Sequence, residues 1–257
     1  MNPLASGFIA SLFAGLSTSI GALPVLLPFK PSDRTQGVLL GIGGGMMLAA
    51  TSFSLILPGT EAAIALGYSG PVAALVMVAS VLLGGAFLWG AHNLFPHEHF
   101  FKGTEGPEAQ NIKRIWLFVI AIALHNFPEG LAVGVGFGGG EQAGAIALAI
   151  GIALQNIPEG FVVAIALRDL DYKPRYAFTI SSLTGLIEPI GGLVGAAVVT
   201  YAQAALPWAM GFAAGAMLFV IVDEIIPDID QKAFGQRGTV GLMGGFVTMM
   251  FLDIALG

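Results

Sequence analysis

Apolar residues in this chain gather into eight long runs separated by short polar connections. The runs cover roughly residues 4–29, 36–60, 70–94, 115–136, 142–167, 175–202, 206–226 and 238–256. At about 1.5 Å of rise per residue, each is long enough to cross a hydrocarbon layer of ~30 Å as an α-helix. The runs are apolar throughout and do not alternate, so they do not read as strands of a membrane barrel. The pattern predicts an all-α integral membrane protein with eight transmembrane helices, forming a single polytopic domain over residues 1–257. The first run opens "MNPLASGFIASLFAG". It has no basic leader and no convincing cleavage site, so it is expected to stay as the first span rather than act as a signal peptide.

Composition points the same way. Of the 257 residues, 56% are hydrophobic and 10% charged, with a mean hydropathy of +0.84. A soluble domain carries about 25% charged residues, and this chain could not cover a soluble surface with so few. The 37 glycines suit helices that pack closely in lipid. With no cysteine, disulfides and thiolate metal sites are excluded. The expected partners are the lipid bilayer and small ions, with no nucleic acid.

The placement of charge says more than its sum. All ten basic residues fall in alternate connections: Lys30 and Arg34; Lys102, Lys113 and Arg114; Arg168, Lys173 and Arg175; Lys232 and Arg237. Positive charge favours the cytoplasmic side. The expected topology therefore puts those four connections in the cytoplasm and both termini outside, in a cell (inner) membrane. The longest connection, "FPHEHFFKGTEGPEAQNIK" at 95–113, becomes a polar cytoplasmic loop.

Against this apolar background a few residues stand out, because an acid inside a membrane span is costly and marks a site or a pathway. Glu129, Glu159 and Glu188 lie well inside runs four, five and six. Asp223 and Glu224 sit near the end of run seven and Asp253 near the end of run eight, where a plain reading is an acid reaching for the interface. The first two acids belong to a repeat. Residues 122–136 read "IALHNFPEGLAVGVG" and residues 152–166 read "IALQNIPEGFVVAIA". His125 and Glu129, four apart, share a helix face, as do Gln155 and Glu159. Asn126 and Asn156 lie one residue on, about 100° around the axis. Pro128 and Pro158 free the carbonyls of Leu124 and Leu154, which need partners in lipid. The glycine after each glutamate allows another backbone to come close.

Runs four and five are joined by a short turn near residue 140, so they run antiparallel and bring the two copies to similar depth. A tandem repeat in sequence becomes an inverted repeat in the membrane, a layout that favours a substrate site near the midplane. Three carboxylates in one dry pocket need compensating charge, which one or two divalent cations would supply. Imidazole nitrogen with carboxylate and amide oxygen suits Zn²⁺, Fe²⁺, Mn²⁺ or Cd²⁺ better than Mg²⁺ or Ca²⁺.

The paired "HNFPEG" and "QNIPEG" resemble the signature of the ZIP (Zrt/Irt-like) divalent metal transporters, nearest their bacterial, GufA-like branch. The likeness covers essentially the whole chain. It takes in "GGGMMLAATSFSLILPG", "PHEH", "EGPEA", "LIEP", "DEIIPD" and "FLDIALG". It implies an eight-span bundle with both termini outside, and a homodimer. It also implies import of divalent transition metal through a two-metal centre on helices 4, 5 and 6. The matching positions are His125, Asn126, Glu129, Gln155, Asn156, Glu159 and Glu188, with Met47 as a thioether ligand from the second helix. Many members have His or Asp where this chain has Gln155 or Asn156, so its site is richer in amides. Glu61, His92, His97, His99, Asp223, Glu224 and Asp253 are candidate secondary metal or pathway residues. For His97 and His99 a solvated polar loop is the plain alternative. The expected cargo is Zn²⁺ or Cd²⁺ as substrate, with no prosthetic group. An intramembrane metal-dependent hydrolase is the alternative, since a buried His/Glu site can activate water. Its usual HExxH is missing, and His125 is the sole His within a mid-span motif. A carrier of polar solutes would leave the clustered acids unexplained.

Overall fold

The computed structural model describes residues 2–28, 31–94, 97–99, 103–105, 114–231 and 235–256. Among the described residues, eight membrane-length helices make up the fold. These are α1 Pro3–Leu26, α2 Arg34–Ala65, α3 Gly70–Leu94, α5 Gln142–Asp169, α6 Pro174–Tyr201, α7 Gln203–Ile225 and α8 Gln236–Leu256, with α4 Arg114–Gly139 between α3 and α5. Seven of them are long and apolar enough to cross a membrane among the described residues, and α4 supplies the eighth with 26 residues. The protein is thus a multi-pass membrane protein whose spans are helices, as the run pattern predicts.

Local chemistry sets the helix ends. The Asn2 side chain accepts from the Leu4 N–H ahead of a first-turn proline in α1. Ser32 accepts from the Thr35 N–H to start α2, and Glu141 accepts from Ala143 and Gly144 to start α5. Such side-chain acceptors satisfy donors that a helix start leaves open. The tight turns after α2 and α4 pass through Gly67 and Gly140, both with positive φ, where a side chain would be strained.

Helix packing is close because glycines line the contacts. A Cβ on Gly134 of α4 would fall on the carbonyl oxygen of Gly192 in α6, and one on Gly45 of α2 would fall on that of Leu242 in α8. The outward faces expose Phe13, Leu82, Phe251 and Ile254, as suits side chains that meet lipid.

Among the described residues four spans depart from regular α geometry, α1 ending in a 3₁₀ turn at Leu23–Leu26 and α7 opening with one at Gln203–Ala205. α2 carries a π turn at Ala50–Ile56, α6 a 3₁₀ turn at Gly185–Ile187 and α7 a π turn at Ile221–Ile225. The run pattern does not predict these, nor the small hairpin in the long connection. There β1 His97–His99 pairs antiparallel with β2 Gly103–Glu105, His97 opposite Glu105. Of the residues used above for orientation, Lys30, Lys102, Lys113, Lys232 and Gly257 lie outside the described residues, as does most of the 95–113 connection.

Candidate metal site

Pro128 and Pro158 each sit inside an unbroken helix, α4 and α5. The glycine that follows each glutamate is a contact point, as the motif suggests. A Cβ on Gly130 would fall on the Glu188 carbonyl of α6, and one on Gly160 would fall on the Thr18 carbonyl of α1. The two motif copies therefore fasten α4 to α6 and α5 to α1 at the level of the acids. Glu188 begins regular helix just after the 3₁₀ turn of α6.

Side chains link these helices through buried hydrogen bonds. The Gln155 amide nitrogen donates to Glu129 Oε1. The Asn156 amide nitrogen donates to Glu188 Oε1 at 2.7 Å and to the Ala14 carbonyl of α1 at 2.8 Å. Glu129 and Glu188 are fully buried, and His125, Asn126, Gln155 and Asn156 are buried with them. Glu129 lies within electrostatic reach of both Glu159 and Glu188. One cavity is lined by His125, Glu129, Gln155, Glu159 and Met47, together with Gly43, Gly44, Val220 and Ile225. Met47 is 3% exposed, so its sulfur-bearing side chain belongs to the wall.

Five buried side-chain oxygens in this group have no hydrogen-bond partner: Asn126 Oδ1, Glu129 Oε2, Gln155 Oε1, Asn156 Oδ1 and Glu188 Oε2. An unsatisfied buried acceptor costs about 1–3 kcal/mol, more when charged. Five at one level of one bundle describe a set of oxygens suited to a cation. Their chemistry, oxygen-rich with one imidazole and one thioether nearby, fits borderline transition metals.

A second cluster adjoins the first. His125 Nε2 lies 2.5 Å from Glu224 Oε2. His92, on the last turn of α3, has Nε2 3.5 Å from Glu224 Oε1 and Nδ1 3.7 Å from Asp223 Oδ2. Ligand atoms of His92, His125 and Glu224 all lie within 4.8 Å of one another, and all three residues are buried. His92 also meets the Phe219 ring edge-on at 5.1 Å. The interface reading of Glu224 is thereby corrected. The π turn in α7 carries both acids, and Glu224 turns inward onto two histidines. His125 belongs to both clusters.

A third group lies toward the opposite end of α5. Glu61 and Asp253 share a recess with Glu141 and Ser54, and the Ser54 hydroxyl donates to Asp253 Oδ1 at 2.5 Å. Asp253 is therefore held by a partner on α2 and not simply directed to the interface. Ser54 and Glu141 were not among the sequence candidates. A serine in an apolar run gives no signal, and Glu141 reads as turn residue and helix cap. His97 and His99 lie on β1 by backbone; their side chains lie outside what the structure describes.

The family model described as ZIP Zinc transporter matches residues 96–253. The chain is 46% identical over 254 residues to "Zinc transporter GufA" of Myxococcus xanthus, covering 99% of this chain and 100% of that protein. It is 45% identical over 253 residues to "Zinc transporter ZIPB" of Bordetella bronchiseptica, covering 98% and 80%. It is 31% identical over 330 residues to "Zinc transporter ZIP11" of Homo sapiens, covering 97% and 96%.

Proposed function

Because the chain belongs to the ZIP zinc transporter family, we propose that it imports divalent transition-metal ions into the cytoplasm, Zn²⁺ foremost, with Cd²⁺, Fe²⁺ and Mn²⁺ as further cargo. The family is one of transporters, so the hydrolase alternative falls away.

The observation that carries the reading is the set of five unpartnered, buried oxygens around three carboxylates in the middle of membrane helices. In this reading Glu129, Glu159 and Glu188 bridge two metal positions, with His125, Asn126, Gln155, Asn156 and Met47 completing them. The neutral amides keep the site weak enough to release what it takes up. Ions arrive from outside through the recess with Glu61 and Asp253. They leave by way of Glu224, His92 and Asp223 toward His97 and His99 on the cytoplasmic side. The whole of residues 1–257 acts as one membrane domain, in the cell (inner) membrane with both termini outside, and works as a homodimer.

The test is radiolabelled zinc uptake by the purified protein in liposomes. Glu129→Ala should abolish uptake, since it removes an acid that interacts electrostatically with both other carboxylates. Met47→Ala should alter only rate or metal preference. Near-normal uptake by Glu129→Ala at matched protein density refutes the assignment.

A further inference from the structure

The two amides of the site are not equivalent, and the difference bears on the leg of the cycle in which no cargo is carried. Asn156 uses both amide hydrogens, one on Glu188 Oε1 and one on the Ala14 backbone carbonyl. Both partners are acceptors, so only the NH₂ end fits there. The amide is fixed, and its oxygen is left unpartnered. A cation can meet Asn156 Oδ1 and Glu188 Oε2 without breaking either bond. Asn156 is a brace that is in place throughout.

Gln155 differs. Its amide nitrogen donates to Glu129 Oε1, and its own oxygen has no hydrogen-bond partner. A divalent cation bound through Glu129 Oε1 would face the partly positive amide hydrogens. Cation and amide therefore compete for the same oxygen, and the amide must turn to present its oxygen to the metal. We propose that the Gln155 amide is a removable stand-in for the cargo: its N–H holds the buried Glu129 carboxylate while no ion is carried, and swings aside when one binds. This rests on the transport reading above. Its consequence is specific. Gln155 sets the rate at which the carrier returns without cargo, and it weakens zinc binding by competing with it.

The experiment separates the two legs. Net uptake of radiolabelled zinc into zinc-free liposomes requires the cargo-free return. Tracer exchange into liposomes preloaded with unlabelled zinc uses loaded steps in both directions. The uncharged, similar-sized Gln155→Met and the ionised form of Gln155→Glu both lack the amide donor. For each variant that elutes as a single species, net uptake should fall by at least about tenfold, the worth of one hydrogen bond to a charged group. Exchange, which skips that leg, should fall less than net uptake, so the ratio of net uptake to exchange should drop by about tenfold or more. Equilibrium zinc binding by purified Gln155→Glu should tighten by about tenfold or more on the same grounds. Equal losses in net uptake and exchange, or no loss in either, overturn the proposal, as does binding that is unchanged or weaker in Gln155→Glu. Wild-type protein that neither takes up nor exchanges zinc refutes the transport reading instead, and the binding measurement then judges the stand-in by itself.

Discussion

Gly130→Ala adds one methyl group, and the structure says where it lands. The new Cβ would overlap the Glu188 carbonyl oxygen and lie 2.6 Å from both the carbonyl carbon and the Cα of Glu188. Carbon atoms in good contact sit about 3.5–4.0 Å apart. The neighbours are backbone and cannot rotate away, so α4 and α6 must part locally by about 1 Å. Overpacking of this kind costs about 1–3 kcal/mol. The functional loss should be larger than that figure suggests. Gly130 follows Glu129 directly, and the group it strikes belongs to Glu188, so the shift falls between two carboxylates of the candidate site. Metal–ligand distances tolerate about ±0.2 Å, well below the displacement. Zinc uptake per folded protein should therefore drop by about tenfold or more, the equivalent of about 1.4 kcal/mol in binding. Gly134→Ala is the control. It meets the Gly192 backbone one turn away with a similar overlap, so it should lower thermal stability alike while sparing more of the uptake. The assays are thermal unfolding in detergent and radiolabelled uptake in liposomes. Gly130→Ala with wild-type melting and uptake would show that the two helices do not approach so closely. Equal loss of uptake in both variants would show that the site does not depend on the Glu129–Glu188 spacing.

Two further expectations follow from charge and protonation. The chain has no native cysteine, so a single cysteine at Gly103 reports orientation cleanly; labelling from outside intact cells by an impermeant thiol reagent would reverse the assigned topology. Protons and metal compete for the lone pairs of His125 and the carboxylates, so the sign is fixed: lower pH means weaker zinc binding. Apparent affinity should fall as the medium is acidified, while millimolar Mg²⁺, which gives up water reluctantly, should barely interfere. An affinity that does not change on acidification would mean these groups do not bind the ion.

Much of this was legible in the sequence, for a physical reason. Membrane spans must be apolar over a fixed length, so eight runs give eight helices with ends displaced by only a few residues. A buried acid is so costly that Glu129, Glu159 and Glu188 announce themselves, and the repeat puts Gln155 beside Glu129. The contacts that escaped are those between residues far apart in the chain. Ser54 and Asp253 are separated by 199 positions, and neither run hints at the other. His92 meets Glu224 only because α3 and α7 pack together. Asn156 finds the Ala14 carbonyl, which no side-chain pattern can advertise. The bent turns were hidden for a different reason. A π or 3₁₀ turn is set by tertiary packing and leaves the hydropathy of its residues unchanged.

The π turn of α7 makes the number of residues matter as much as their identity. Hydrogen bonding over five residues instead of four places one extra residue in the turn, so Ile221–Ile225 behaves as though the chain had accepted an insertion there. Deleting Val222, which points outward and is exposed, should restore ordinary α pitch. The helix on either side would then keep its register, because the deletion takes out the one residue that the wide turn accommodates. The acids inside the turn would still shift against His92 and His125, so the deletion should spare folding while altering uptake, whereas replacing Val222 with another apolar residue should be silent. A scan by substitution would pass over this position, and a scan by single-residue deletion would find it.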